Sequence, residues 1–160
     1  MPVFPVIPFD HTTTFMAYPG TVSPGLATLI AVARDALDSL ATHGFKRILI
    51  VDGQGSNAPI ANFLSERMGD HPNVKVKFNS RWNAHKTWGK VQAIDPLASH
   101  ASCRENFPSK RILGVTQPQR AQPGIDYAKL KLLNPQQTRT YLGYGNFASV
   151  YQKLDAVMAE

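Results

Sequence analysis

Cysteine and long apolar runs are almost absent from this sequence. Cys103 is its one cysteine, so no internal disulfide can form and a disulfide-stapled secreted fold is excluded. No apolar run approaches the roughly 18 residues of a membrane-spanning helix. The opening residues, M-P-V-F-P-V-I-P, lack the basic leader of a signal peptide. The sequence therefore predicts a cytoplasmic protein with no membrane partner.

Acidic residues are scarce between positions 74 and 140. Twelve Lys and Arg face three acids there, a local balance of +9 within a chain whose net charge is +6. Such a basic half can hold nucleic acid or an anionic substrate. However, no more than two basic residues are adjacent, and the sequence contains no nucleic-acid-binding motif. We therefore interpret the charge as a solvated surface and expect no nucleic-acid partner.

The elements that are present alternate as in a parallel α/β protein. A length of 160 residues with 43% hydrophobic residues suits a single α/β domain over residues 1–160. The apolar run I-L-I-V at 48–51 has no polar alternation, which predicts a strand covered on both faces. Residues 52–57 follow at its carboxyl end, where open α/β sheets bind their ligands.

Turn and periodicity signals place the other elements. Ser23 and Pro24 favour a helix start, and Gly44 favours the end of that helix. Asn57 is expected to cap a second helix that runs to Met68. Further strands are expected at 3–9, 74–78 and 111–115, further helices at 98–107 and 147–158, and a loop at 116–135.

Polar side chains follow three of the expected strands, at the points where the strands end. If the strands are parallel, these side chains lie at one edge of the sheet. Carboxylate, imidazole and amide groups at such an edge suit metal binding or acid–base chemistry. The candidate metal ligands among them are Asp10, His11, Asp52 and Gln54. The candidate substrate-binding residues are Asn79, Trp82 and Trp88.

Four blocks of the sequence resemble the creatininase family of metal-dependent amidohydrolases. R-I-L-I-V-D-G-Q-G-S-N at 47–57 resembles the family's strand and its N-G-H-G-G-N turn. M-A-Y-P-G-T-V-S at 16–23 matches the family's H-M-x-F-P-G-T-(I/V)-S from the methionine onward. H-A-S-C-R-E at 100–105 keeps the spacing of H-A-G-x-x-E, and G-Y-G-N at 143–146 loosely resembles a late G-x-x-G-D element. The resemblance implies a creatininase-like three-layer α/β/α sandwich with a mainly parallel sheet, in a homo-oligomer.

The resemblance also implies an activity, the hydrolysis of a non-peptide C–N bond in a small amide, cyclic amide or formamide. By this resemblance Glu105 is a ligand of zinc or manganese and His100 transfers a proton, so both residues are expected to be catalytic. Gln54 stands where the family has a metal-binding histidine, and its amide is a poorer ligand than imidazole. The family's earlier ligands have no counterpart, so we expect a degenerate metal site that holds fewer than two ions or none. Replacement ligands would come from Asp10, His11 or Asp52, or from a complementing chain.

Two other hypotheses stay open beside the hydrolase. A catalytically silent relative would serve as a binding or oligomer-forming module. Alternatively, G-Q-G-S-N-A at 53–58 formally fits the G-x-G-x-x-A pattern of a nucleotide binder, and Ser80 and Arg81 end the next strand where an NADP phosphate would be held. Pro59, so early in the following helix, argues against the nucleotide binder. We favour the hydrolase.

Overall fold

Two compact units make up the computed structural model of this chain, a first unit of Met1–Ala84 and a second unit of His85–Glu160. The structure describes residues 2–81, 84–103, 106, 108–115 and 122–149. Within these ranges every helix is too short or too polar to span a bilayer. The expectation of a single domain over 1–160 stays a prediction.

The first helix of the first unit is α1, Leu26–Thr42. It buries Leu29, Ala33 and Leu37, whose spacing of four residues places them on one face. The expected start at Ser23 is wrong, because the N-cap is Gly25 and the Ser23 hydroxyl accepts a hydrogen bond from the Thr12 N–H at 2.8 Å instead. The expected end is confirmed.

That end depends on a left-handed residue. Gly44 follows the C-cap with a φ of +84°, which glycine adopts without the steric cost of a Cβ.

Two parallel strands and an intervening helix form the centre of the first unit. The strands are β1, Arg47–Asp52, and β2, Lys75–Ser80, paired in register from Arg47↔Lys75 to Asp52↔Ser80. The helix between them is α2, Ile60–Asp70. A strand, a helix and a parallel strand form a β–α–β unit, which confirms the α/β fold class.

The core of this unit lies on one face of the two strands. Its buried members are Leu29, Ala33, Leu37, Ile60, Leu64 and Val76. Leu49 and Val51 point to the opposite face and are 49% and 63% exposed. Within the first unit the described residues cover one face of this strand, so cover on both faces and the third layer of the expected sandwich stay predictions.

The segment at 3–9 does not form the expected strand. Its residues have no regular secondary structure, and Val3 and Val6 are exposed. Pro5 and Pro8 have no N–H to donate, which weakens any ladder against a neighbouring strand. The segment contacts the rest of the unit through rings, with Phe4 and Phe45 packed edge to face at 6.0 Å between centroids.

Where the structure describes it, the second unit consists of short helices and turns. Its α-helices in that part are α3, His85–Ile94, α4, Tyr127–Leu130, and α5, Pro135–Leu142. Sequence patterns missed α3 and placed α4 inside a loop. Asn134 and Gln137 form a capping box at the start of α5, because each side chain accepts from the other residue's backbone N–H.

Three expectations for the second unit are wrong where the structure describes them. Residues 98–103 form turns and not an α-helix, residues 111–115 form no strand, and residues 147–149 are not helical. Gln122 and Ser149 instead form an isolated antiparallel bridge. The remainder of the expected last helix, from 150 to 158, lies outside the described residues.

Candidate active site at the carboxyl end of β1

A polar turn follows β1 at the edge of the sheet where parallel strands end. Asp52 is the last residue of β1, and a short 3₁₀ turn, Gly55–Asn57, leads towards α2. The turn is hydrogen-bonded to the segment 10–12 from the start of the chain. Together, Asp10, His11, Thr12, Asp52, Gln54, Ser56 and Asn57 are called the β1 cluster below.

Asn57 is the centre of the β1 cluster. Its side-chain Nδ2 donates to Asp10 Oδ1 at 2.7 Å and to Asp52 Oδ1 at 3.1 Å. Its Oδ1 accepts from the backbone N–H of His11 at 3.1 Å. One amide therefore bridges two carboxylates and fixes the backbone beside them. Asn57 does not cap α2 as expected, since Pro59 is the N-cap residue.

Asp52 is the buried acid of the cluster, with 4% of its surface exposed. Its Oδ1 accepts from the Gln54 N–H and from Asn57 Nδ2, both at 3.1 Å. Its Oδ2 is buried and has no hydrogen-bond partner among the residues that the structure describes. A carboxylate oxygen without a partner is costly to bury, and this is a feature that functional sites retain.

His11 is held at three points, two on its backbone and one on its ring. Its backbone N–H donates to Asn57 Oδ1, and its backbone carbonyl accepts from the Ser56 hydroxyl. Its ring Nδ1 lies 3.2 Å from the Pro24 carbonyl oxygen. A carbonyl only accepts, so Nδ1 carries the proton in this contact. In the neutral ring Nε2 then holds the lone pair, which is the state of a base or of a metal ligand.

Gln54 takes part in the cluster through its amide. Its Nε2 donates to Thr12 Oγ1 at 3.2 Å, and the Thr12 N–H in turn donates to Ser23 Oγ at 2.8 Å. With Nε2 engaged as a donor, only the carbonyl oxygen of Gln54 could act as a ligand. Oxygen from a neutral amide is a weak partner for zinc.

The described residues of the β1 cluster do not by themselves fit a divalent metal. No group of three His, Cys, Asp or Glu side chains suited to holding an ion occurs in the described ranges. The Asn57 amide occupies the position between the Asp10 and Asp52 carboxylates where a shared cation would lie. The ligand roles expected for Asp10, His11, Asp52 and Gln54 stay predictions, although the structure does bring these four residues together.

The other expected site residues fall in different places. Asn79 pairs with Val51 in register, so its side chain faces away from that of Asp52. Ser80, named above only for the nucleotide-binding alternative, pairs with Asp52 and shares its face. Trp88 is half-exposed on α3 in the second unit. Trp82 and Glu105 lie outside the described residues.

His100 lies in a turn of the second unit next to Phe147. The two rings meet edge to face at 4.8 Å between centroids, and the Phe147 N–H donates to the His100 carbonyl at 3.1 Å. The neighbouring Ser99 hydroxyl bonds the Tyr127 hydroxyl at 2.6 Å. Aromatic and hydroxyl contacts thus position this stretch, and no sequence signal pointed to Phe147 or Tyr127.

The fold and the β1 cluster define an α/β protein whose polar groups gather where enzymes of this architecture bind ligands. A sequence model of the creatininase family, described as creatinine amidohydrolase, matches residues 1–106. The chain therefore belongs to the creatininase family, as the sequence blocks predicted. The matched range includes the β1 cluster and the stretch from His100 to Glu105.

A solved structure supports the same fold. The chain is similar to the crystal structure of creatinine amidohydrolase (creatininase), with a TM-score of 0.60 and 21% sequence identity. The similarity covers 89% of this chain and 61% of that protein, so the chain spans about three fifths of its solved relative. A search of curated proteins found no match.

Proposed function

We propose that this chain is a creatininase-like amidohydrolase that cleaves a C–N bond in a small amide, cyclic amide or formamide. Its membership of the family supports the reaction class. The observation that carries the proposal is the β1 cluster, in which the Asn57 amide joins the Asp10 and Asp52 carboxylates and also holds the backbone of His11, whose ring contacts the Pro24 carbonyl. Such a cluster has the groups that move protons in amide hydrolysis.

The roles follow from the hydrogen bonds. The His11 ring, with its proton on Nδ1, accepts a proton at Nε2 from an attacking water, and the imidazolium then returns that proton to the leaving nitrogen. Asn57, itself bound to Asp10 and Asp52, holds the backbone of His11 in place, and the two carboxylates offset the positive charge that forms on the ring. His100 and Glu105 keep the proton-transfer and metal-ligand roles that the family resemblance implies.

Metal dependence, a homo-oligomeric state and a cytoplasmic location belong to the same proposal. Zinc or manganese would depend on Glu105 and on ligands beyond the β1 cluster, from this chain or another one. A degenerate site of this kind predicts fewer than two ions per chain after dialysis.

Two substitutions in the cluster test the proposal directly. His11→Ala removes the base and Asp52→Asn removes a charge at nearly constant shape, and each should lower kcat/KM on a panel of cyclic amides and formamides by on the order of a hundredfold or more. His43→Ala and Asp35→Asn, both exposed on or beside α1, are the matched controls and should change kcat/KM less than about twofold. Circular dichroism checks that the variants are folded.

Three further variants test the positions at which the family resemblance implies a role. His100→Ala and Glu105→Gln should each remove activity with the fold intact, and Gln54→His should raise the metal content measured by elemental analysis. Unchanged turnover in all of the site variants contradicts the hydrolase. Absence of turnover even in Gln54→His with added zinc or manganese would instead favour the binding or oligomer-forming module.

A further inference from the structure

An apolar groove of about 310 Å³ lies in the first unit. The start of the chain forms one wall with Ile7 and Phe9, and α1 forms another with Leu29 and Val32. None of the side chains that line the groove is ionisable. Its volume is at the small end of the range found for small-molecule sites, which are mostly apolar with a few polar groups at fixed points.

Two residues join the wall of the groove to the β1 cluster. Ser23 and Pro24 line the groove, and both are also bound to the cluster. Ser23 Oγ accepts from the Thr12 N–H at 2.8 Å, and the Pro24 carbonyl accepts from His11 Nδ1 at 3.2 Å. Ser23 and Pro24 therefore form the polar end of the groove, and the Pro24 carbonyl is the group there that contacts the imidazole.

Exposed side chains in the groove are costly to leave in water. Phe9, Val22 and Val32 are all exposed large hydrophobic residues, and burying them against a ligand is favourable because apolar surface leaves water. A charged ligand would find no counter-charge there. A second cavity of this unit differs, because Arg34, Asp38, Glu66 and Arg67 are among the residues that line it, and those charges disfavour an apolar guest.

We propose that this groove binds the apolar part of the substrate and makes the chain selective for amides that carry an uncharged aromatic or branched aliphatic substituent. The proposal rests on the hydrolase function, since the scissile amide would lie at the Ser23–Pro24 end, beside His11. The binding of the apolar group itself does not require turnover, so the two ideas are tested separately.

The first test measures binding with three small probes. Benzyl alcohol has the ring without an amide, acetamide has the amide without a ring, and benzamide has both. In ¹⁵N–¹H spectra of the full chain, benzyl alcohol and benzamide should shift the backbone amides of Val22 and Thr28 saturably, and acetamide should not. Unmoved groove amides with benzyl alcohol overturn the proposal.

Charged substitutions then assign the binding to the groove. Val32→Asp places a carboxylate in it and should weaken benzyl alcohol binding at least tenfold. Ala31→Asp is the matched control, because Ala31 directly precedes Val32 in α1 and is exposed outside the groove. It should change binding less than twofold. Val22→Asp, on the loop side, repeats the test should Val32→Asp fail to fold. Equal affinity in the two α1 variants contradicts the proposal, as does a groove covered by a second copy of the chain.

Turnover separates failure of the groove from failure of the hydrolase. If both proposals hold, Val32→Asp raises KM for benzamide at least tenfold and leaves KM for acetamide unchanged. If benzyl alcohol binds in the groove but no amide is hydrolysed, the groove is a binding site and the hydrolase proposal is wrong. If amides are hydrolysed but KM for benzamide is the same in Val32→Asp and Ala31→Asp, the hydrolase proposal holds and the groove proposal is wrong.

Discussion

The two units of this chain differ in the balance of apolar and polar groups that they bury. In the first unit a cluster of apolar side chains from α1, α2 and β2 forms the core. In the second unit several of the buried residues are polar, namely Asp95, Ser102, Thr138, Asn146 and Ser149. Apolar packing is tolerant of which hydrophobic residue fills a site, whereas a buried polar group needs a particular partner. The fold of the first unit can therefore be predicted from its hydrophobic pattern, whereas the fold of the second unit depends on individual polar contacts.

The buried polar groups of the two units also serve different ends. In the first unit Asp52 and Asn57 belong to the β1 cluster, at the edge where a ligand can reach the sheet. In the second unit the Ser149 hydroxyl donates to Asp95, and Asn146 Nδ2 donates to the Ser149 carbonyl at 2.9 Å. Ser149 has a φ of +63°, a left-handed conformation that these contacts stabilise.

The largest expected effect is in the apolar core of the first unit. Leu64 is 2% exposed, and Leu64→Ala should lower the free energy of unfolding by about 2–5 kcal/mol, because it removes buried methyl groups and leaves a cavity. Leu132→Ala, at a site that is 85% exposed, is the control and should stay within about 0.5 kcal/mol. Urea unfolding measures both. A Leu64→Ala cost no larger than that of the control would show that this core does not stabilise the unit.

The next effect tests the polar contacts of the second unit. Ser149→Ala keeps the strained backbone and removes the hydroxyl from Asp95, so it should cost about 1.5–3 kcal/mol, the range for hydrogen bonds to charged groups. Ser149→Gly also loses the hydroxyl but relieves the left-handed strain, and should therefore recover about 1 kcal/mol of that loss. Ser65→Ala, exposed on α2, is the control for losing a serine hydroxyl. If Ser149→Ala has the same free energy of unfolding in urea as the wild type, the second unit does not depend on this polar contact, and the contrast drawn between the two units is wrong.

The smallest effect concerns a single helix end. Asn134→Ala removes the capping box of α5 and should lower stability by about 1 kcal/mol. Asn134→Ser keeps an oxygen that can accept from the backbone, and should therefore remain close to the wild type. Thermal unfolding followed by circular dichroism compares the three proteins. An alanine variant as stable as the serine variant would mean that α5 depends on its packing and not on its cap.

Sequence patterns predicted the first unit well because its elements are amphipathic or apolar throughout. The helical spacing of Leu29, Ala33 and Leu37 locates α1, and the runs at 48–51 and 74–78 locate β1 and β2. The left-handed Gly44 marks the end of α1. These signals are local, since each depends on the period of the side chains or on one backbone conformation.

The same reasoning failed where the local signal and the tertiary contacts disagree. The apolar run at 3–9 suggested a strand, but Pro5 and Pro8 interrupt its hydrogen bonding. In the second unit α3 lacks buried side chains, so its sequence has no apolar stripe from which a helix could be predicted. The hydrogen bond between Asp95 and Ser149 joins residues 54 positions apart, and no local pattern of the sequence predicts such a pair.

The sequence by itself determined the family, the parallel α/β class and the strand end at which the polar residues collect. Those properties depend on motif order and on hydrophobic period, which are written along the chain. Only the tertiary structure decided that Asn57 bridges Asp10 and Asp52 and does not cap α2. It also decided that the Pro24 carbonyl oxygen lies 3.2 Å from His11 Nδ1. A hydrogen bond is a relation of distance and direction between two groups, and residues 47 positions apart acquire that relation only when the chain folds.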